Sequence, residues 1–415
     1  MAQHPFLKSI QPVNLLSFGP ETQEIELRPL NILIGPNGSG KSNLIEIFRL
    51  LCFLPEKEPW ATVLETGGVD EWIWKGGRGE SLRSSIHAKI SFESIPNSKV
   101  AGRPPCFDFD YSIRLDKFQT TFQVGEEILR TAKRSDGSES NYSWLESNGS
   151  QGTIHGRVAL PGAAPTIVGL SADRSVLSQL AQLPVQLAGS GVFLPELYEV
   201  EKLFDSFDFH QDWEFGADQT ARDPIPVGQP VDRLEENARN LAQMVAYFKD
   251  YHRQVFDEIN EKMKSFYAPL ESVDVRLIGT HLQVVIHEEG GFSIPAYRLS
   301  DGTLRWLALL AILLNPTPAP VTCIEEPELG LHPDAIHILA DLLVEASTRT
   351  QLIVTTHSDA LLDAFTETPE VVCVCEKVEG STVIKRLDKE RLKVWLAEYS
   401  LGHLWMSGEI GGNRW

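Results

Sequence analysis

Leu30-Asn31-Ile32-Leu33-Ile34-Gly35-Pro36-Asn37-Gly38-Ser39-Gly40-Lys41-Ser42 reads as a buried strand, a glycine-rich loop and the first turn of a helix. The loop fits the phosphate-binding pattern G-x-x-x-x-G-K-[ST] at every fixed position. Each residue type has a physical reason to be there. Glycines let successive backbone N–H groups point into one concavity. A helix N-terminus adds positive potential. Lys41 is placed to reach terminal phosphates, and the Ser42 hydroxyl to ligate Mg²⁺. Apolar periodicity continues from Lys41 to about Phe53, so strand, loop and helix follow in the order the motif requires.

Three further motifs lie far downstream. Val321-Thr322-Cys323-Ile324-Glu325-Glu326 is a buried strand ending in two adjacent carboxylates. Such an end can offer one acid to a metal and the next to an attacking water. About 25 residues earlier, Leu299-Ser300-Asp301-Gly302-Thr303 precedes an apolar helix, with Ser300 a good N-cap. Ile353-Val354-Thr355-Thr356-His357-Ser358 is another buried strand, ending in a histidine 31 residues after Glu326. Singly, the acids could be a solvated loop, the serine a plain cap and the histidine structural.

In this order the four motifs resemble the ABC-type ATPases, specifically the branch containing SMC, RecF and OLD proteins. Glu325-Glu326-Pro327-Glu328-Leu329-Gly330-Leu331-His332-Pro333 is very like the E-E-P-E-x-x-L-H-P of that branch. The resemblance implies an α/β fold: an ABC head with a parallel phosphate-loop sheet plus an antiparallel sheet, and a small helical insertion. It implies ATP and Mg²⁺ as cofactors, with Gly35, Pro36, Asn37, Gly38, Ser39, Gly40, Lys41 and Ser42 around the phosphates. Ser42 and Glu325 would hold the metal, Glu326 would polarise water, and His357 would sense the γ-phosphate. Ser300, Asp301 and Gly302 would contact ATP held by an opposite copy, so the expected unit is a head-to-tail homodimer or a higher oligomer.

Three departures stand out. Asp301 and Thr303 occupy signature positions where the commonest pattern has Gly and Gln, and the carboxylate calls for a neighbouring cation or helix dipole. Glu325 replaces the more usual Asp. The family's metal-linking glutamine is missing where expected, since no Gln occurs between Ser42 and Gln119, and the stretch around Trp74-Lys75-Gly76 is the expected substitute.

Between the motifs the reading is coarser. Alternating apolar residues over 86–129 predict an antiparallel sheet with one wet face, followed over 131–156 by turns and hairpin loops. Residues 205–230 read as an irregular connector, and 231–266 as one long helix or a hairpin of two. The expected division is a discontinuous head, 1–130 and 270–415, around an inserted lobe, 131–269. The helical stretch is too short for SMC-type arms.

Composition narrows the function. A net charge of −20 argues against coating nucleic acid. The local basic cluster Lys75, Arg78, Arg83 and Lys89 is offset by Glu71 and Glu80, so a solvated face is the stronger reading and a DNA contact the weaker. Neither a signal peptide nor a run of roughly 18 apolar residues is present, which predicts a cytoplasmic protein without a membrane partner. The five cysteines are scattered and suggest reduced thiols. No D-x-D follows His357, so a nuclease in cis is not expected. Tyr399 to Trp415 resembles the ends of stand-alone AAA-family ATPases of bacterial anti-phage systems. The favoured expectation is a nucleotide-gated dimeric sensor or scaffold for a separately encoded effector, a nuclease being the leading kind. A RecF-like repair ATPase clamping DNA is the rival, and a transporter subunit a weaker one.

Overall fold

The computed structural model describes residues 6–76, 83–91, 108–132, 142–155, 157–158, 166–183, 192–211, 215–216, 220–228 and 231–411. Cys106, Arg78, Glu80 and residues 412–415 lie outside that set.

A mostly parallel sheet forms the centre. Its strands, in chain order, are β1 (Leu30–Ile34), β2 (Asp208–His210), β3 (Val321–Glu325), β4 (Gln351–Thr355), β5 (Val372–Val378) and β6 (Ser381–Arg386). Their spatial order is β2-β3-β4-β1-β5-β6, parallel except for the β5–β6 hairpin. Strand alternation divides the side chains between two cores. Leu33, Cys323, Ile353, Cys373 and Cys375 enter one, whereas Ile32, Ile34, Ile324, Val354 and Val374 enter the other. Burial on both faces explains why these strands read as continuous apolar runs. Cys373 and Cys375 share a face as their spacing predicts, and burial pushes both thiols up.

An antiparallel sheet covers the first core. Its strand order is Thr166–Gly169, Gln151–Ile154, Ser143–Ser147, Thr121–Thr131, Asp108–Phe118, Arg83–Ser91, Leu7–Val13, Ile25–Glu26. Tyr111, Ile113, Leu115, Phe122 and Leu129 share this core with helix α1 (Lys41–Phe53), whose Leu44, Ile45 and Phe48 are fully buried. Two corrections to the sequence reading arise here. The polar stretch after 131 contains paired strands, joined through Asn148-Gly149-Ser150, that extend this sheet. The supposed connector contains β2, the edge of the parallel sheet. A three-residue strand is too short to show any period. Sheet pairing therefore joins residues 131–269 to the head at both ends.

The second core lies under α2 (Leu241–Tyr251) and α3 (Arg253–Phe266), a pair of helices rather than one. They pack on a small antiparallel sheet built from Leu270–Ile278, His281–Glu288, Phe292–Pro295 and Ile225–Pro226. Helix α4 (Asp301–Leu313) is buried from Thr303 onward, as expected for a helix apolar all round. Helix α5 (Asp334–Ala346) follows β3. No helix among the described residues is long and apolar enough to cross a membrane.

Candidate nucleotide site

The loops leaving the C-terminal ends of β1, β2, β3 and β4 meet at one edge of the parallel sheet, the edge where ligands bind in such sheets. The loop after β1 is fixed by its glycines. Gly35 and Gly40 hold φ of 150° and 100°, and a Cβ on them would lie 2.2 Å from the Cys375 carbonyl oxygen and 2.1 Å from Thr382 Oγ1. Only glycine fits that cradle. Lys41 is buried and its Nζ donates to the carbonyls of Gly35 (2.9 Å) and Pro36 (3.1 Å). Burial holds its pKa below the ordinary value, opposed by Cys375, Glu326 and Glu325. Ser39 Oγ is buried and has no hydrogen-bond partner among the described residues, so the loop keeps a polar atom in reserve for a ligand.

Glu325 closes β3 and accepts a hydrogen bond on Oε1 from Ser42 Oγ. Consecutive strand residues point to opposite faces, yet both acids serve this edge. Glu326 has φ 44°, in the left-handed region, which breaks the pleat and costs roughly 1–3 kcal/mol. Its N–H donates to the Thr355 carbonyl at 3.0 Å. Its Oε1 stands 3.7 Å from His357 Nε2. Glu328 ties the same two loops together. Its Oε1 accepts from Thr356 Oγ1 (2.6 Å) and His357 N (3.2 Å), Oε2 has no hydrogen-bond partner among the described residues, and burial raises its pKa.

Gln211, the residue after β2, is the glutamine that reaches Glu325. Its Nε2 donates to Glu325 Oε2 at 3.4 Å and to Glu46 Oε1 at 3.3 Å. Its Oε1 accepts from Arg49 Nη2, and Arg49 also grips Glu236 with two bonds, 2.5 and 3.1 Å long. The expected substitute around Trp74-Lys75-Gly76 instead lines a hollow with Leu16, Ser17, Asn43 and Gly380, and Trp74 Nε1 donates to the Gly380 carbonyl at 3.2 Å. Gln211 escaped the sequence reading because it lies 114 residues from Glu325, directly after a strand too short to show a period.

The signature group occupies the start of α4. Ser300 caps the helix, accepting from Thr303 N at 3.1 Å. Gly302 is held against the loop after β3, since a Cβ there would stand 2.7 Å from the Gly330 carbonyl oxygen. Asp301 does have a neighbouring cation, Arg222, with which it pairs. Of the basic cluster, Lys75 pairs with Glu71 (2.8 Å), Lys89 with Glu24 (2.7 Å) and Arg83 with Asp116 (4.0 Å), so each of these cations is matched by an acid.

Asp208, beside the site, yields a pH prediction. Burial raises its pKa from 3.8 to about 6, against the pull of Arg233 3.9 Å away. The folded state thus holds this proton more tightly than the unfolded chain. The ionised carboxylate opposes folding increasingly from pH 3.8 upward, fully above about pH 6. Asp208→Asn should therefore stabilise the protein by roughly 1–3 kcal/mol at pH 8, with the gain vanishing near pH 4. Thermal melts across pH check this; equal gains at both extremes would contradict it.

The sheet, the phosphate loop with its acid pair and the signature helix define the fold of an ABC-type ATPase head. The chain belongs to the family described as "AAA domain, putative AbiEii toxin, Type IV TA system", whose model matches residues 30–363. Among solved structures it is similar in fold to the Smc head bound to the C-winged helix domain of ScpA, with TM-score 0.53, 15% identity and coverage of 93% of this chain and 99% of that one. An Smc head with an extended coiled coil, bound to the C-terminal domain of ScpA and derived from Pyrococcus furiosus, matches with TM-score 0.52, 14% identity and coverage of 95% and 99%. No curated protein matches the chain in sequence.

Proposed function

We propose that the chain hydrolyses ATP at a site shared between two head-to-tail copies, and that this nucleotide-gated dimer serves as sensor or scaffold for a separately encoded effector. The carrying observation is the convergence of Lys41, Ser42, Gln211, Glu325, Glu326 and His357 at one sheet edge, beside a glycine cradle that a Cβ would block. Lys41 and the loop N–H groups are placed to bind phosphates. Ser42 Oγ and Glu325, two oxygen donors already in contact, suit a hard divalent ion, and Mg²⁺ bound there would supply charge neutralisation. Gln211 and Arg49 orient Glu325 from behind. Glu326 is the base for the attacking water, and His357 holds it in position.

Each copy carries its signature on an exposed helix start, where Asp301 keeps 69% of its side chain accessible. Facing a second phosphate loop gives that surface a role, and ATP becomes a dimerising ligand. A separate partner is supported by the Smc heads of similar fold, which are bound to domains of ScpA. The test is ATPase activity against protein concentration. Turnover per copy should rise with concentration and plateau once dimers dominate; a constant rate from dilute monomer upward would sink the shared site. Gln211→Ala should raise the Mg²⁺ concentration for half-maximal turnover about tenfold, as loss of a residue orienting a metal ligand typically does; an unchanged midpoint would remove Gln211 from the site.

A further inference from the structure

Asp301 immediately follows the signature serine, and its carboxylate is exposed. On the shared-site reading, on which this inference rests, that end of α4 meets the triphosphate of the opposite copy. A lone carboxylate there would repel it. Glycine, the commonest residue at this signature position, poses no such problem.

Beneath Asp301 lies Arg222, whose side chain is only 6% exposed. Its Nε donates to the carbonyls of Phe215 (2.6 Å) and Gly216 (3.1 Å). Its Nη1 donates to those of Ala296 (3.1 Å) and Leu299 (2.7 Å), and its Nη2 to Asp301 Oδ1. Four of these five acceptors are neutral backbone oxygens, so among the described contacts Asp301 supplies the counter-charge. The guanidinium spans Ala296 and Leu299, ahead of the signature serine, and Asp301 directly after it. It therefore fixes both the path into α4 and the charge at its first turn. A buried cation held this way cannot be removed without leaving the carboxylate unbalanced.

We propose that Arg222 is the positioning residue of the signature: it cancels the charge of Asp301 and orients it, so that the Ser300 end of α4 accepts polyphosphate from the second copy. Arg222 acts through Asp301 and does not itself touch nucleotide.

The experiment uses the full chain with Mg²⁺ and the non-hydrolysable analogue AMP-PNP. Sedimentation velocity measures dimerisation, and a fluorescent ATP analogue measures binding at the phosphate loop of the dilute monomer. Arg222→Met should weaken dimerisation about 30-fold or more, as setting an unbalanced carboxylate against polyphosphate across an interface does, while monomer nucleotide binding stays unchanged. Adding Asp301→Gly to that variant should restore about tenfold of the loss, because the unbalanced carboxylate is gone. A purely structural tie to the four carbonyls would not be rescued this way. Asp301→Asn alone, at an exposed position that does not threaten folding, should dimerise at least as tightly as the unaltered chain. The proposal is overturned by undiminished dimerisation of Arg222→Met, by a double variant no tighter than the single one, or by loss of dimerisation in Asp301→Asn. Should Arg222→Met fail to fold in a thermal melt, Asp301→Asn carries the test. An unaltered chain that stays monomeric with AMP-PNP refutes the shared site as well; a normal dimer indifferent to these changes refutes the role of Arg222 alone.

Discussion

Glu326→Gln should lower ATP turnover by about 10²–10⁴-fold, the usual worth of a positioned general base, while leaving ATP bound and the two copies joined. Glutamine keeps the size and hydrogen-bonding shape of the acid but cannot take a proton. The left-handed turn at residue 326 and the N–H bond to the Thr355 carbonyl belong to the backbone, so they survive the change. His357 loses its acidic neighbour 3.7 Å away yet keeps the Glu328 contact to its own N–H. Binding and chemistry therefore separate in this variant. Rapid quench should find ATP retained and phosphate release nearly absent. Turnover within twofold of the unaltered protein would move the base to another residue.

Lys41→Ala acts one step earlier and should weaken ATP binding about 100-fold, the equivalent of one or two charge-assisted hydrogen bonds. The ammonium that the loop now holds against the Gly35 and Pro36 carbonyls is the cation available to the phosphates. Burial already opposes this charge, so removing it relieves a desolvation cost that offsets the lost attraction to Glu325 and Glu326. Folding should survive, so a melt curve separates loss of binding from loss of structure. Calorimetric titration with ATP checks the affinity, and an unchanged value would undermine the assignment of the loop.

These expectations rest on features with unequal sequence signals. The phosphate loop was legible because its spacing is fixed by one backbone turn. Glu325, Glu326 and His357 were legible because each closes or closely follows a short, buried, mostly apolar strand. Gln211 and Arg222 had no such mark. One follows a strand of three residues and the other sits in a short turn, and their partners lie 114 and 79 residues away. The same stretch misled the reading of architecture. The described part of 205–230 looks irregular because its strands are only two and three residues long, too short to show a repeating face. Asp301, read as a liability, acquired its cation only once the chain was folded.

The claim at the centre is that two copies hold ATP between them. Light scattering of Glu326→Gln with saturating ATP and Mg²⁺ tests it most directly. The account predicts a shift from the 46.3 kDa monomer to about twice that mass, reversed when nucleotide is removed, because ATP binds the paired state preferentially. A particle that remains at 46.3 kDa under saturating nucleotide would contradict it.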